Sequence, residues 1–176
     1  MSISIRRITV LAVGIALFAA LSLCLQVPVF ENYYLCLGYA VMAVYCWSFG
    51  AVSGAVVGTL GVVLYCLLIS GLRGMPGWAL GNAVIGILLG LTFRRTKTGK
   101  NTVLKTVVNS IAVLISTALG ILVIKSLTES LLYAQPMLVR MGKNLYAFVA
   151  DTVMLLVSLP ICVVLDKTIK RLFPNL

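Results

Sequence analysis

The sequence predicts an all-α membrane protein, a bundle of six transmembrane helices with both termini in the cytoplasm. Three observations predict it. Of 176 residues, 61% are hydrophobic and only 10% charged, far from the balance of a soluble domain. The apolar residues fall in runs long enough to cross a bilayer, and the basic residues gather at alternate ends of those runs. A hydrocarbon core of about 30 Å takes roughly 20 helical residues per crossing. Six crossings therefore use nearly the whole chain, and residues 1–176 read as a single transmembrane domain with no separate soluble unit.

Helix 1 is predicted over 8–26, stopped by Val27 and Pro28 and followed by the polar Glu31 and Asn32. Arg6 and Arg7 ahead of it resemble the start of a signal peptide, but no small-residue cleavage site follows, so an uncleaved helix is expected. Helices 2 and 3 are predicted over 33–49 and 51–70, with a tight turn near 48–53. One long tilted element in their place would leave five crossings and put Arg6 and Arg7 outside. Residues 71–77, with Arg73, Pro76 and three glycines, form a loop before helix 4 at 78–93. The polar run from Arg94 to Lys105 precedes helix 5 at 106–124. Residues 125–143 are too mixed to span and read as a loop with a short interfacial helix. Helix 6 is expected over 144–165, bent at Pro160.

The net charge of +10 would suggest nucleic acid in a soluble protein; here it orients the bundle. Arg6, Arg7, Arg94, Arg95, Lys97, Lys100, Lys105, Lys167, Lys170 and Arg171 fall on one side, and only Arg73, Lys125, Arg140 and Lys143 on the other. The positive-inside rule places the first set in the cytoplasm. The five cysteines form no C-x-x-C pair and there is no histidine, so buried structural thiols are expected rather than a metal site or cofactor.

Small residues recur at spacings that let helices approach closely. Ala12, Ala16 and Ala20 line one stripe of helix 1, and Gly50, Gly54 and Gly58, Gly77 and Gly81, and Gly86 and Gly90 repeat the pattern later. Packing within the bundle is expected of the glycine stripes, whereas the alanine stripe serves either packing or docking to another protein.

Asp151 is the most informative single residue, because an ionisable group inside a membrane is costly and faces a cavity or a partner. Asn144, Phe148 and Asp151 follow i, i+4, i+7 spacing and share a face, as do Trp78 and Asn82 on helix 4. With Arg73 and Lys143 at the outer mouths and Glu31, Tyr33 and Tyr34 in the first loop, they describe a small-molecule pocket with aromatic walls and a few polar groups. The plainer alternative pairs Asp151 with Arg140 or Lys143 and leaves the aromatics as an interfacial belt. Enzymatic chemistry is not expected: the only carboxylates are Glu31, Glu129, Asp151 and Asp166, and the last two lie roughly 22 Å apart along one helix. No phosphate-binding loop is present, so ATP hydrolysis would reside in another subunit.

Three stretches carry a family resemblance: the alanine stripe of helix 1; LCLGYAV at 35–41 with FGAVSGAVVG at 49–58; and GWALGNAVIGILLG at 77–90. In this order and spacing, nearly the whole chain resembles the substrate-binding S components of energy-coupling factor (ECF) transporters. The resemblance implies a subunit that binds a water-soluble vitamin outside, in a site built from helices 4, 5 and 6 and closed by the first loop. It also implies partners, a membrane T component and two ATPases, with Ala16 and Ala20, supported by Ala12, docking on the T component. Many relatives carry an aspartate where this chain has Tyr39, so a role proposed from that aspartate does not transfer.

A small excess of positive charge near the outer face favours an anion such as pantothenate, with pyridoxine, hydroxymethylpyrimidine and folate open. Two other classes compete: a structural scaffold subunit of a bacterial cell-shape complex, which would hold no ligand, and an autonomous proton-coupled carrier titrating Asp151.

Overall fold

The structure, a computed structural model, describes residues 5–24, 26–30, 33–69, 71–97 and 101–172, with the backbone alone at 26–30, 33, 34 and 170. Glu31, Asn32, Ser70 and Lys100, which entered the sequence expectations, lie outside the described residues. Six helices follow in order: α1 (Ile5–Cys24), α2 (Gly38–Phe49), α3 (Ala51–Leu68), α4 (Met75–Thr96), α5 (Thr102–Tyr133) and α6 (Met137–Leu172). Five are long and apolar enough to cross a membrane, and α2 is a shorter apolar helix. The expected six-helix membrane bundle is the fold observed.

The boundaries differ from the sequence expectation where capping decides them. Asn101 caps α5, its side chain accepting from the backbone N–H of Val103 at 3.1 Å and of Leu104 at 3.4 Å, so the helix starts at Thr102 within the polar run. Pro76 sits in the first turn of α4, where its missing N–H costs nothing, and Arg94 and Arg95 in the last turn favour the negative end of the helix dipole. That helix therefore exceeds the predicted 78–93 at both ends. The largest difference falls at 125–143. Instead of a loop, α5 continues to Tyr133, the chain reverses through Ala134 in the left-handed conformation (φ 51°), and α6 begins at Met137. Pro160 lies inside α6 without ending it.

The first loop is a hairpin, β1 (Gln26–Phe30) antiparallel to β2 (Tyr33–Cys36), with Gln26 opposite Cys36 and Pro28 opposite Tyr34. Pro28 is tolerated because neither strand of a two-stranded sheet is central. The 12 residues of α2 span about 18 Å, short of the hydrocarbon thickness. Strand backbone next to it is acceptable at that depth where it is covered by protein, and β2 packs against α6, with Cys36 buried.

Between α2 and α3 the chain turns on Gly50 alone, at φ 87° and ψ −171°, a conformation open only to glycine. This is the tight turn the sequence predicts. It lays α3 back along α2 and against α4, where a Cβ on Gly86 would stand 2.6 Å from the Ala55 Cα. Gly90 meets Ala51 in the same way, and Gly54 meets Cys46 on α2. The glycine stripes are thus internal seams, as expected. The alanine stripe is not: Ala12, Ala16 and Ala20 are all exposed on the outer surface of α1.

At the basic end, the Arg6 Nη2 donates to the Leu172 carbonyl at 3.1 Å, which joins the first and last helices. Lys97 pairs with Asp166 at 3.3 Å and donates to the Trp47 carbonyl. With Lys105 Nζ donating to the Lys97 carbonyl at 3.3 Å, these contacts put the starts of α1 and α5 and the ends of α2, α4 and α6 together, as an even number of crossings requires. Leu60, Leu91, Ile111, Ile115, Val157 and Val164 project outward, a surface suited to lipid rather than water.

Candidate functional site

The centre of the bundle holds a polar network surrounded by apolar packing. Tyr39, in the first turn of α2, is fully buried. Its hydroxyl accepts from Trp78 Nε1 at 2.7 Å and donates to Asn82 Oδ1 at 2.9 Å. The Asn82 amide in turn donates to the Gly58 carbonyl at 3.2 Å, so the chain of bonds runs through α4, α2 and α3. Trp78 and Asn82 share the α4 face because they lie one turn apart. Asp151, buried on α6, approaches the Tyr39 hydroxyl and lies in the field of Lys125.

A cavity of about 250 Å³ opens beside this network, lined by Cys36 of the hairpin, Tyr65 and Cys66 of α3, Trp78 of α4, Lys125 of α5, and Ala147 and Asp151 of α6. The Tyr65 ring stands edge-on to Trp78 at 5.6 Å. Lys125 Nζ sits 5.9 Å from the Trp78 ring, within cation–π range. The chamber thus offers two aromatic walls, one cation and one carboxylate, the mixture that orients a small polar ligand.

Lys125 reaches the chamber because α5 is π-helical from Ala118 to Lys125. The wider turn shifts the register of every later side chain relative to a regular α-helix, and such segments often mark functional positions. Close approach anchors it: a Cβ on Gly81 of α4 would stand 2.6 Å from the Gly120 carbonyl oxygen.

A second, more polar pocket of about 440 Å³ lies at the hairpin end, lined by Arg73, Gly74, Glu129, Tyr133, Gln135 and Arg140. Asn144 donates to Ser126 Oγ at 3.0 Å and to Glu129 Oε2 at 3.1 Å, and Arg140 Nη1 stands 3.7 Å from the same oxygen. The Arg140 guanidinium lies 5.1 Å over the Tyr133 ring, and the Tyr133 hydroxyl donates to the Arg73 carbonyl. A third concavity, a groove of about 600 Å³ between α1, α2 and α6, is walled by Val13, Leu17, Val41, Val44, Ile161 and Leu165. It is the largest of the three, but its lining gives a water-soluble ligand almost nothing to bond.

Among the residues singled out from sequence, the structure brings Trp78, Asn82 and Asp151 together around Tyr39. Phe148 packs half-buried against the same core. Arg73 lines the hairpin-end pocket instead, Asn144 holds the Glu129 carboxylate behind it, and Lys143 is exposed. Tyr33 and Tyr34 lie on β2, with side chains outside the described part. Arg140 pairs with Glu129 and not with Asp151. Sequence reasoning missed Tyr39, which it set aside, and Lys125, which it placed at the start of a loop with a short interfacial helix. The one available signal for Lys125 was a lysine closing an otherwise uncharged run, 106–124.

The fold defines a multi-pass membrane protein that encloses a small chamber with a few polar groups. The chain belongs to the ECF-type riboflavin transporter S component family, whose model matches residues 2–168. A Streptococcus thermophilus relative described as a UPF0397 protein is 26% identical over 134 residues, covering 75% of this chain and 74% of the relative. Family membership makes this chain a substrate-binding subunit of membrane vitamin transport, in the cell membrane.

Proposed function

We propose that the chain captures a vitamin with a planar aromatic ring from outside the cell, binds the ring in the Asp151 chamber, and delivers it inward with a T component and two ATPase subunits. The observation that carries this reading is the chamber itself, in which Trp78 and Tyr65 wall a space whose polar groups are Lys125 and Asp151. A volume of about 250 Å³ is just below the range of roughly 300–1,000 Å³ usual for small-molecule pockets. It suits one ring system, with the rest of the ligand pointing to the hairpin end. The family description names riboflavin, whose ring fits that chemistry. Trp78, Asn82 and Asp151 are the proposed ligand-binding set, joined by Tyr39 and Lys125; Phe148 supports them from behind. Tyr33 and Tyr34, on the strand beside the chamber, are proposed as part of its closure, and Arg73, Lys143 and Asn144 as its outer approach.

Docking of the T component is proposed on Ala12, Ala16 and Ala20. A stripe without side chains beyond Cβ, exposed to lipid, lets a second helix approach closely.

Titration of purified, ligand-stripped protein with riboflavin, followed by flavin fluorescence, tests the reading. Saturable quenching that is lost in Trp78→Ala supports it; no binding in a folded protein rejects a flavin. The second reading, an anionic vitamin such as pantothenate, is favoured by Lys125 in the chamber. Calorimetric titration with pantothenate, repeated on Lys125→Met, separates the two.

A further inference from the structure

We propose that the groove between α1, α2 and α6 holds a phospholipid of the inner leaflet, with one acyl chain between the helices and an anionic headgroup at Arg6. The groove measures about 600 Å³, and the side chains on its rims, among them Val13, Leu17, Ile161 and Leu165, are exposed, so it opens toward the bilayer. Its α1 wall runs from Arg6 to Leu21, a rise of about 22 Å along the helix. The hydrocarbon of one leaflet is about 15 Å deep, half of the usual core. An acyl chain entering at Arg6 therefore stays in the groove through the whole depth of its leaflet. The two hydroxyls of the lining are already used: Tyr45 donates to the Val10 carbonyl at 2.7 Å and Thr9 to the Ile5 carbonyl at 3.1 Å. Apart from Arg6, the walls present hydrocarbon.

Charge selects the headgroup. The polar end of the groove is the basic end of the bundle, which the positive-inside rule places in the cytoplasm. Arg6 is held there by its bond to the Leu172 carbonyl at 3.1 Å. Arg7, the next residue, lines a small cleft that shares Phe49 with the groove. Asp166 is the only carboxylate side chain at this end of the chain's helices, and it is paired with Lys97. Basic residues at the depth of the inner headgroups attract anionic lipid, and the planar fork of arginine matches the oxygens of a phosphate. The groove shares no lining residue with the Asp151 chamber, so the lipid site stands apart from the proposed vitamin site.

The full chain, purified in a mild detergent, is titrated with phosphatidylglycerol and with phosphatidylcholine of the same acyl chains, and retained lipid is counted by native mass spectrometry. One saturable phosphatidylglycerol is expected, bound more tightly than phosphatidylcholine. Arg6→Gln is expected to weaken phosphatidylglycerol about fivefold, the share of one arginine near an anionic headgroup, with phosphatidylcholine unchanged. Arg7→Gln, at an exposed position, serves where Arg6→Gln fails to fold and is expected to act in the same direction. Lys167→Gln, exposed and outside the groove lining, is expected to leave both affinities unchanged. Val13→Trp, on the exposed rim, fills part of the groove and is expected to lower retention of both lipids, with Ile161→Trp as its substitute. Equal affinity for the two lipids, or equal losses in Arg6→Gln and Lys167→Gln, marks lipid held without a specific headgroup contact and overturns the proposal. A dimer that carries no lipid, which makes a second copy of the chain the occupant, overturns it as well. So does a folded monomer that retains no lipid, which leaves the groove to the helix of a partner.

Discussion

The Trp78 indole donates to the Tyr39 hydroxyl across 2.7 Å, tying the start of α4 to the start of α2 at the wall of the chamber. Tyr39 also donates to Asn82, so one phenol satisfies a donor and an acceptor that would otherwise be buried unpaired. Tyr39→Phe keeps the ring and removes both bonds. A loss of about 1–2 kcal/mol is expected, read as a lower melting temperature in detergent, together with weaker ligand binding as Trp78 loses its orientation. Unchanged stability and affinity would mean that the network does not organise the chamber.

The two kinds of small-residue stripe respond differently to the same change. A side chain at Gly86 collides with the Ala55 backbone, which cannot yield without parting α3 from α4. Gly86→Val is expected to cost at least about 2–3 kcal/mol and to lower the yield of folded protein in size-exclusion chromatography.

Ala16→Leu and Ala20→Leu add bulk where the surface is exposed. Melting temperature and ligand affinity should stay at the wild-type level while co-purification with a T component is lost. If complex formation persists, docking occurs on another face.

The Lys97–Asp166 pair at the basic end is partly exposed, at 25% and 16% for the two side chains. Asp166→Asn should therefore cost no more than about 1 kcal/mol, and the difference from wild type should shrink as salt is added. Thermal unfolding at low and high ionic strength measures both.

Four cysteines, Cys36, Cys46, Cys66 and Cys162, are buried and Cys24 is exposed. Brief maleimide treatment of the folded protein is expected to modify Cys24 first. Cys36 and Cys66 line the chamber, so a bound ligand should slow their later modification relative to Cys46, by mass spectrometry of the digested protein.

Much of the fold was legible because the bilayer constrains sequence strongly: apolar run length sets the number of crossings, and basic residues at alternate ends set their direction. The candidate chamber was legible where chemistry is local. Asp151 stood out because a carboxylate in a membrane is costly, and Trp78 and Asn82 because one helical turn separates them. Tyr39 was not legible, since an apolar helix start says nothing of the Asn82 and Trp78 partners that lie 43 and 39 residues away. Asn144 shares a helical face with Asp151, yet it serves the other pocket because Glu129 and Ser126 reach it from α5.

The sequence by itself determined that this is a six-helix membrane bundle with its basic ends on one side, because hydropathy and charge act through composition and spacing alone. Only the tertiary structure decided that the alanine stripe, unlike the glycine stripes already expected to be seams, lies bare. Glycine and alanine repeats look alike in sequence, and their meaning depends on what stands opposite. It also decided the place of Lys125, which a π-helical stretch of α5, packed at Gly120 against Gly81, brings toward Trp78. That shift arises from a contact between helices and leaves no pattern along either one.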